Sequence, residues 1–198
     1  MNIHALLARI VLAFLILALL GPPISRAQER KPEGDFGPLL RVLSQSKHTL
    51  GDGIRQATKS TEIPISAKFE LDDNGKLSLS VYTAENGLTT DAEHNILKEL
   101  SGSPETAAWN PEVEVFKDPE HLKRAAEQQT LMALSSMSLL DVIAKAQKQQ
   151  RGTVFSVTPV VLNHQPKFNV LVADNGRVTA LAYDLWGNIV RAQKKTGF

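Results

Sequence analysis

The sequence predicts an α+β fold built from two tandem helix-on-antiparallel-sheet units. Residues 49–57 and 138–146 lie 89 positions apart and share one pattern: a hydroxyl residue, an aspartate three positions later, and apolar residues at helical spacing. Short runs that alternate apolar and polar residues follow each copy, and turns containing Asn-Gly separate them. One helix followed by antiparallel strands is therefore predicted twice.

Residues 1–27 are predicted to be a cleaved secretory signal peptide. The unbroken apolar run over residues 10–20 is too short to span a membrane comfortably, and Ser25 and Ala27 are small residues at the −3 and −1 positions of a cleavage site. The alternative is that this segment is retained as an N-terminal membrane anchor. Residues 28–37 are predicted to be a flexible leader, and the protein to be exported, either periplasmic or secreted.

Composition limits the classes of partner and site. The chain has 198 residues, with 22 basic and 21 acidic side chains, so it has no basic footprint for a nucleic acid. Cysteine is absent, which excludes disulfides, a thiolate nucleophile, cysteine-based metal sites and an acylated-cysteine anchor. Contact with a membrane is expected only if residues 1–27 are retained.

The first predicted unit covers residues 38–136. Thr49 is expected to be the N-cap of a helix and Asp52 its capping-box partner, while Gly51 and Gly53 weaken this helix. The helix is therefore either marginal alone or covered closely by a neighbour. A β-hairpin with an Asn-Gly turn at residues 74–75 follows.

Three further elements are predicted as insertions in this unit. Residues 91–100 have helical spacing and a capping pattern. Residues 109–116 suggest an edge strand in which Val113 and Val115 alternate with glutamates on a wet face. Asp118 and Pro119 are expected to begin a helix over residues 119–135.

The second predicted unit covers residues 137–198. Ser138 and Asp141 form the capping pattern of its helix, which Gly152 ends. Three strands are predicted over residues 154–162, 167–172 and 178–183, and Gly187-Asn188 then turns the chain into a last extended stretch. This copy is the more complete one.

This arrangement resembles the PepSY domain, and the second copy matches it better than the first. The matching residues are Leu139, Ile143 and Ala146 in the helix, Phe168, Val170 and Val172 in a strand, Gly176, and residues 183–189. The chain departs from the family at Asp184, which is followed by Leu185-Trp186-Gly187, one residue shorter than the family pattern and without its threonine. The resemblance implies an exported protein that binds or inhibits peptidases.

No pattern of catalytic residues stands out, so the chain is predicted not to be an enzyme and to need no cofactor or metal. Ser44 and Lys47 fit Ser-x-x-Lys, but its companion motifs are missing. The histidines are scattered rather than paired at helical spacing. Residues 72–75 suggest a tight turn in preference to a calcium loop.

The predicted function is a non-catalytic protein-binding module that modulates or inhibits a peptidase, with another envelope or secreted protein as partner. Trp109 and Trp186 lie beside turns and are candidate binding residues together with Tyr183. We expect the partner to use two sheet faces that the helices leave open. The alternative is an envelope carrier of a small apolar ligand or peptide held between helix and sheet.

Overall fold

The computed structural model describes residues 35–58 and 61–194. Predicted signal residues 1–27 and most of the predicted leader, residues 28–37, lie outside these ranges. The described elements are α1 (Gly37–Val42), a 3-10 helix (Leu43–Gln45), α2 (Leu50–Ala57), β1 (Ile63–Leu71), β2 (Leu77–Ala84), β3 (Leu97–Gly102), β4 (Glu112–Val115), α3 (Pro119–Leu134), α4 (Leu139–Gln149), β5 (Thr153–Leu162), β6 (Gln165–Asp174), β7 (Arg177–Tyr183) and β8 (Ile189–Lys194). The predicted α+β class is confirmed.

All eight strands of the described residues form one antiparallel sheet, in the order β4-β3-β2-β1-β5-β6-β7-β8. Each half is a four-stranded meander preceded by a capped helix, α2 in the first half and α4 in the second. The halves join where β1 pairs with β5. The first half therefore contains a full meander, which the sequence predicted only for the second.

The register at the centre of the sheet relates the two halves by an approximate twofold axis. Ala67 pairs with Val157, and Lys68 pairs with Ser156. At the repeat offset of 89 residues, Ser156 is the counterpart of Ala67 and Val157 that of Lys68. Each pair therefore contains the counterparts of the other, as a twofold axis between the pairs requires.

The helices cover both faces of the sheet. Gly53 of α2 packs against Leu79, whereas Gln128 of α3 accepts a 2.9 Å hydrogen bond from Ser66. Ala67 pairs with Val81, which points to the same face as Leu79. Ser66 precedes Ala67 and therefore points to the opposite face. Helices α2 and α3 thus lie on opposite faces of the sheet. Helix α3 contacts the central strands β1 and β5. The expectation that each unit leaves its second sheet face open was therefore wrong where α3 covers the central strands.

Both predicted capping boxes are confirmed. The Asp52 N–H donates to Thr49 Oγ1 at 3.1 Å, and Asp141 N–H donates to Ser138 Oγ at 3.1 Å. Each carboxylate accepts from the N-cap backbone in return. Hydrogen bonds from Thr49 lower the pKa of Asp52, and those from Ser138 lower the pKa of Asp141. Local sequence therefore determines where these helices begin.

The glycines of α2 are covered by close neighbours, as one of the two sequence alternatives required. A Cβ atom at Gly53 would lie 2.5 Å from Leu79 Cδ2, and one at Gly51 would lie 3.6 Å from Leu140 Cδ2 of α4. Leu79 is fully buried. The absence of a side chain at Gly53 lets α2 approach β2 closely.

The helix predicted over residues 91–100 is wrong, because residues 97–102 form strand β3. This strand pairs with β2 from Leu97 opposite Ala84 to Gly102 opposite Leu79. Asn95 closes the preceding connection by accepting from the Asn86 backbone at 2.9 Å and donating to the Gly87 carbonyl at 2.8 Å. Pairing with the edge of the β1–β2 hairpin outweighs a helical pattern that is short.

The predicted edge strand at residues 109–116 is confirmed for Glu112–Val115, but its burial was predicted wrongly. Val113 and Val115 are 58% and 45% exposed, and both glutamates are exposed too. The alternating pattern identified the strand but not the exposure of its valines. The strands predicted from residue 154 onwards are confirmed with extended boundaries.

Candidate interaction surface

The three candidate binding residues occupy different environments. Trp109 and Tyr183 are 4% and 3% exposed, whereas Trp186 is 66% exposed. The Trp109 indole donates to the Gly102 carbonyl at 3.2 Å, which holds the β3–β4 connection against the core. Among the three, only the Trp186 side chain is presented to solvent, so the site is built from its turn.

Tyr183 is the last residue of β7 and pairs with Phe168 on β6 and Ile189 on β8. Its hydroxyl is buried without a hydrogen-bond partner among the described residues. Desolvation raises the pKa of Tyr183. The ring therefore supports the strand end from which the Trp186 turn departs.

Asp184 organises the turn that carries Trp186. One carboxylate oxygen, Oδ1, accepts from the Trp186 N–H at 3.0 Å and the Asn188 N–H at 2.8 Å. The other, Oδ2, accepts from the Asn188 side chain at 2.8 Å. The backbone adds two bonds, from Gly187 N–H to the Asp184 carbonyl and from Asp184 N–H to the Asn188 carbonyl. This network fixes the backbone on both sides of the indole.

Neighbouring elements hold the same turn from outside. The Leu185 carbonyl accepts from the Ser135 hydroxyl at 2.9 Å and the Ser136 N–H at 3.2 Å, in the link between α3 and α4. Lys145 of α4 donates to the Gly187 carbonyl at 3.1 Å. Leu185 itself is buried. The backbone around Trp186 is therefore anchored to α4 and to the link between α3 and α4, while its indole is exposed.

A second turn of the same geometry connects β1 and β2. Asp72 Oδ1 accepts from the Asn74 N–H at 2.9 Å and the Lys76 N–H at 2.8 Å, and Gly75 N–H donates to the Asp72 carbonyl. Asn74 occupies the position that Trp186 has in the other turn. The turn geometry therefore does not require an aromatic residue there.

Other exposed apolar side chains lie in the strand that follows the Trp186 turn and at the end of the helix that precedes Ser135. Ile189 and Val190 begin the edge strand β8 and are each 47% exposed. Leu134, which is 64% exposed, directly precedes the Ser135 that binds the turn. Trp186 is a candidate from the sequence and these residues are not, because alternation alone does not distinguish an edge strand from a central one.

The electrostatics of the turn favour the charged form of Asp184. Partial desolvation raises the pKa of Asp184, but hydrogen bonds from the Asn188 side chain and from the backbone N–H groups of the turn outweigh it and hold the pKa below its usual range. A carboxylate that accepts several N–H bonds prefers to stay ionised.

Acid is therefore expected to weaken this turn. The substitution Asp184→Asn is expected to remove this dependence on pH, because it removes the titrating carboxylate. Because the folded pKa is depressed, the stabilisation is fully present above the ordinary aspartate pKa and is lost as the pH falls through the folded value. Urea unfolding of both proteins from neutral to acidic pH measures the difference in unfolding free energy. That difference should shrink across this window, and a difference independent of pH would contradict the role given to the carboxylate.

Residues with catalytic potential are distributed as follows. Ser44 lies in the 3-10 helix, and Lys47 donates its backbone N–H to the Pro104 carbonyl. His94 and His121 each contact the aspartate three residues earlier, at 2.7 Å, on exposed surfaces. Across residues 35–58 and 61–194, no group of three or more His, Asp or Glu side chains is arranged to hold a metal ion.

Comparison with known proteins provides no family assignment. No protein-family model matches the chain, and no curated protein matches it either. A solved structure of a "putative lipoprotein" from Clostridium difficile 630 is similar to it, with 16% sequence identity and a TM-score of 0.40 over 76% of this chain and 95% of that chain. None of the helices formed by the described residues is both long and apolar enough to cross a membrane.

Proposed function

We propose that this chain is an exported, non-catalytic protein-binding module made of two tandem PepSY-like units, with Trp186 as the anchor of its binding surface. The observation that carries the proposal is the contrast between two turns of one geometry. One presents Asn74, and the other presents a tryptophan that is 66% exposed on a backbone held by α4 and by the link between α3 and α4. Rigid, exposed aromatic residues are typical anchors of protein interfaces.

The tandem-unit part of the proposal is supported by the symmetry of the sheet. Each half contains a capped helix followed by a four-stranded antiparallel meander, and β1 and β5 meet about an approximate twofold axis. Gene duplication is the simplest origin of such a pair. The resemblance to the PepSY family implies the same unit.

The sequence supports the proposed location and partner class. Residues 1–27 have the pattern of a secretory signal, so the proposed partner is another envelope or secreted protein. A peptidase is the partner that the PepSY resemblance implies. We propose a membrane contact only for a chain that keeps residues 1–27, and no interaction with nucleic acid.

The exposed indole is expected to contribute little to folding. An apolar side chain that remains mostly in water gains little free energy from burial, whereas one that enters a partner's pocket gains most of it on binding. This argues for binding as the reason for Trp186 rather than stability.

Site-specific photo-crosslinking tests the proposal in the exporting cell. A photoreactive amino acid placed at position 186 should produce a defined adduct, and one placed at position 74 should not. Position 74 is the matched control because the two turns share their geometry. Excess wild-type protein should suppress the adduct, and Trp186→Asn protein should not. Adducts at both positions in equal yield, or at neither, would contradict an anchor at Trp186.

Trp186→Asn is expected to reduce the affinity for the crosslinked partner at least tenfold, with a change in unfolding free energy within about 0.5 kcal/mol. The asparagine reproduces the residue of the matched turn. The control combines Trp186→Asn with Asn74→Trp, which keeps the composition and moves the indole to the β1–β2 turn. Calorimetry should find binding equally weak for both proteins, and restored binding in the control would show that position is irrelevant.

The alternative function, a carrier of a small apolar ligand or peptide, stays a prediction. Between the helices and the sheet, the described structure has close side-chain packing: Leu79 lies against Gly53, and Leu50, Leu139 and Val142 are almost fully buried. Native mass spectrometry of the purified protein tests this alternative, because a carrier would retain additional mass.

A further inference from the structure

We propose that strand β4 accepts an extended segment of a partner protein as an added strand, and that this segment alternates apolar with basic residues. Strand β4 and strand β8 are the opposite ends of the sheet. Binding at β4 therefore does not require the role proposed for Trp186, and separate variants test the two surfaces.

The outer edge of β4 is open. Strand β3 pairs with one edge, from Lys98 opposite Val115 to Ser101 opposite Glu112, and no strand within the described ranges pairs with the other. All four residues of β4 are exposed. Such an edge presents unpaired N–H and C=O groups that can bind an extended chain.

The two faces of β4 differ in chemistry. Val113 and Val115 share one face, and Val113 lies opposite Leu100, which is 9% exposed. An apolar stripe thus continues from the core to the open edge. Glu112 and Glu114 share the other face, where Glu114 lies opposite Glu99. An added strand would meet apolar groups on one face and carboxylates on the other.

The charges favour basic residues on the incoming segment. Like charges directly opposite each other on neighbouring strands are unfavourable, and Glu114 and Glu99 form such a pair. Lys117 lines the same shallow depression as Val113 and Val115, but no ion pair joins it to either β4 glutamate in the described structure. A lysine or arginine opposite Glu114 would offset the repulsion.

A second copy of the chain is a poorer occupant of this edge. Any register that pairs the valines of two β4 strands on one face also pairs their glutamates on the other. A register that avoids this places valine opposite glutamate on both faces. Alternating glutamates therefore oppose self-association, and they favour a partner of the opposite charge.

Peptide titration monitored by NMR tests the proposal on the intact protein. The probe is a blocked hexapeptide that alternates valine and lysine, and the comparison is the same peptide with glutamate in place of lysine. We expect the lysine peptide to shift the backbone amide signals of residues 112–115. Its affinity, measured from these shifts, should be at least tenfold higher than that of the glutamate peptide. Added salt should weaken this binding, because the charges are exposed.

Charge reversal supplies the decisive comparison. Glu112→Lys with Glu114→Lys should invert the preference between the two peptides. The control pair Asp73→Lys and Glu93→Lys changes net charge equally at exposed sites outside β4 and should leave the preference unchanged. The proposal would be overturned if the largest amide shifts lay outside β4, if both peptides bound equally, or if neither bound at millimolar concentration. Dimerisation through β4 in sedimentation experiments would also overturn it, in favour of a second copy.

Discussion

Gly152→Ala is expected to lower the free energy of unfolding by about 3 kcal/mol, combining backbone strain with a steric clash. Gly152 has φ +121° immediately before β5. An added Cβ would lie 2.2 Å from the Ala173 carbonyl oxygen and 2.9 Å from its carbonyl carbon. Because the opposing atoms belong to the backbone of β6, they cannot move away without disturbing the central β5–β6 pairing.

Gly176→Ala is the matched control. Gly176 also has a positive φ of +73°, in the β6–β7 turn, but a Cβ there would have no atom within 4 Å. Its expected cost is about 1 kcal/mol, from backbone conformation alone. Urea denaturation followed by circular dichroism measures both variants. Equal losses in the two would show that conformation, and not the approach of β6, decides the cost at Gly152.

Leu79→Ala is expected to destabilise the protein by about 3 kcal/mol, because it removes a fully buried side chain at the contact between β2 and α2. Gly53→Ala alone should destabilise by about 1 kcal/mol, since the clash with Leu79 outweighs the gain in helix propensity. In the Leu79→Ala protein the same change should stabilise by about 1 kcal/mol, because the clash is gone and the propensity gain remains.

The wild type, the two single variants and the double variant together test whether the effect of Gly53→Ala changes sign. Urea denaturation of each gives the coupling free energy between the two positions. Gly51→Ala serves as the comparison, since its Cβ would make ordinary contacts at 3.5–3.6 Å with Arg55 and Leu140. Additive effects at Gly53 and Leu79 would contradict the close packing of α2 on β2.

The candidate binding site was only partly predictable from the sequence. Both tryptophans lie beside turns in the sequence, but Trp109 is buried with its indole bonded to Gly102, and Trp186 is exposed. The difference arises because Leu185, and not Trp186, is the turn residue that is buried and held by Ser135 and Ser136. Those contacts join residues that are 50 and 49 positions apart in the sequence, so a local pattern does not reveal them.

The chain's local chemistry determined the capped starts of α2 and α4, the Asn-Gly turns and the strands that follow them, since capping and turn formation depend on residues a few positions apart. Tertiary structure alone decided that residues 97–102 are a strand, that β1 joins β5, that α3 covers the second face, and that Val113, Val115 and Trp186 remain exposed. These outcomes depend on pairing and burial between segments distant in sequence, whose free energies outweigh local propensity.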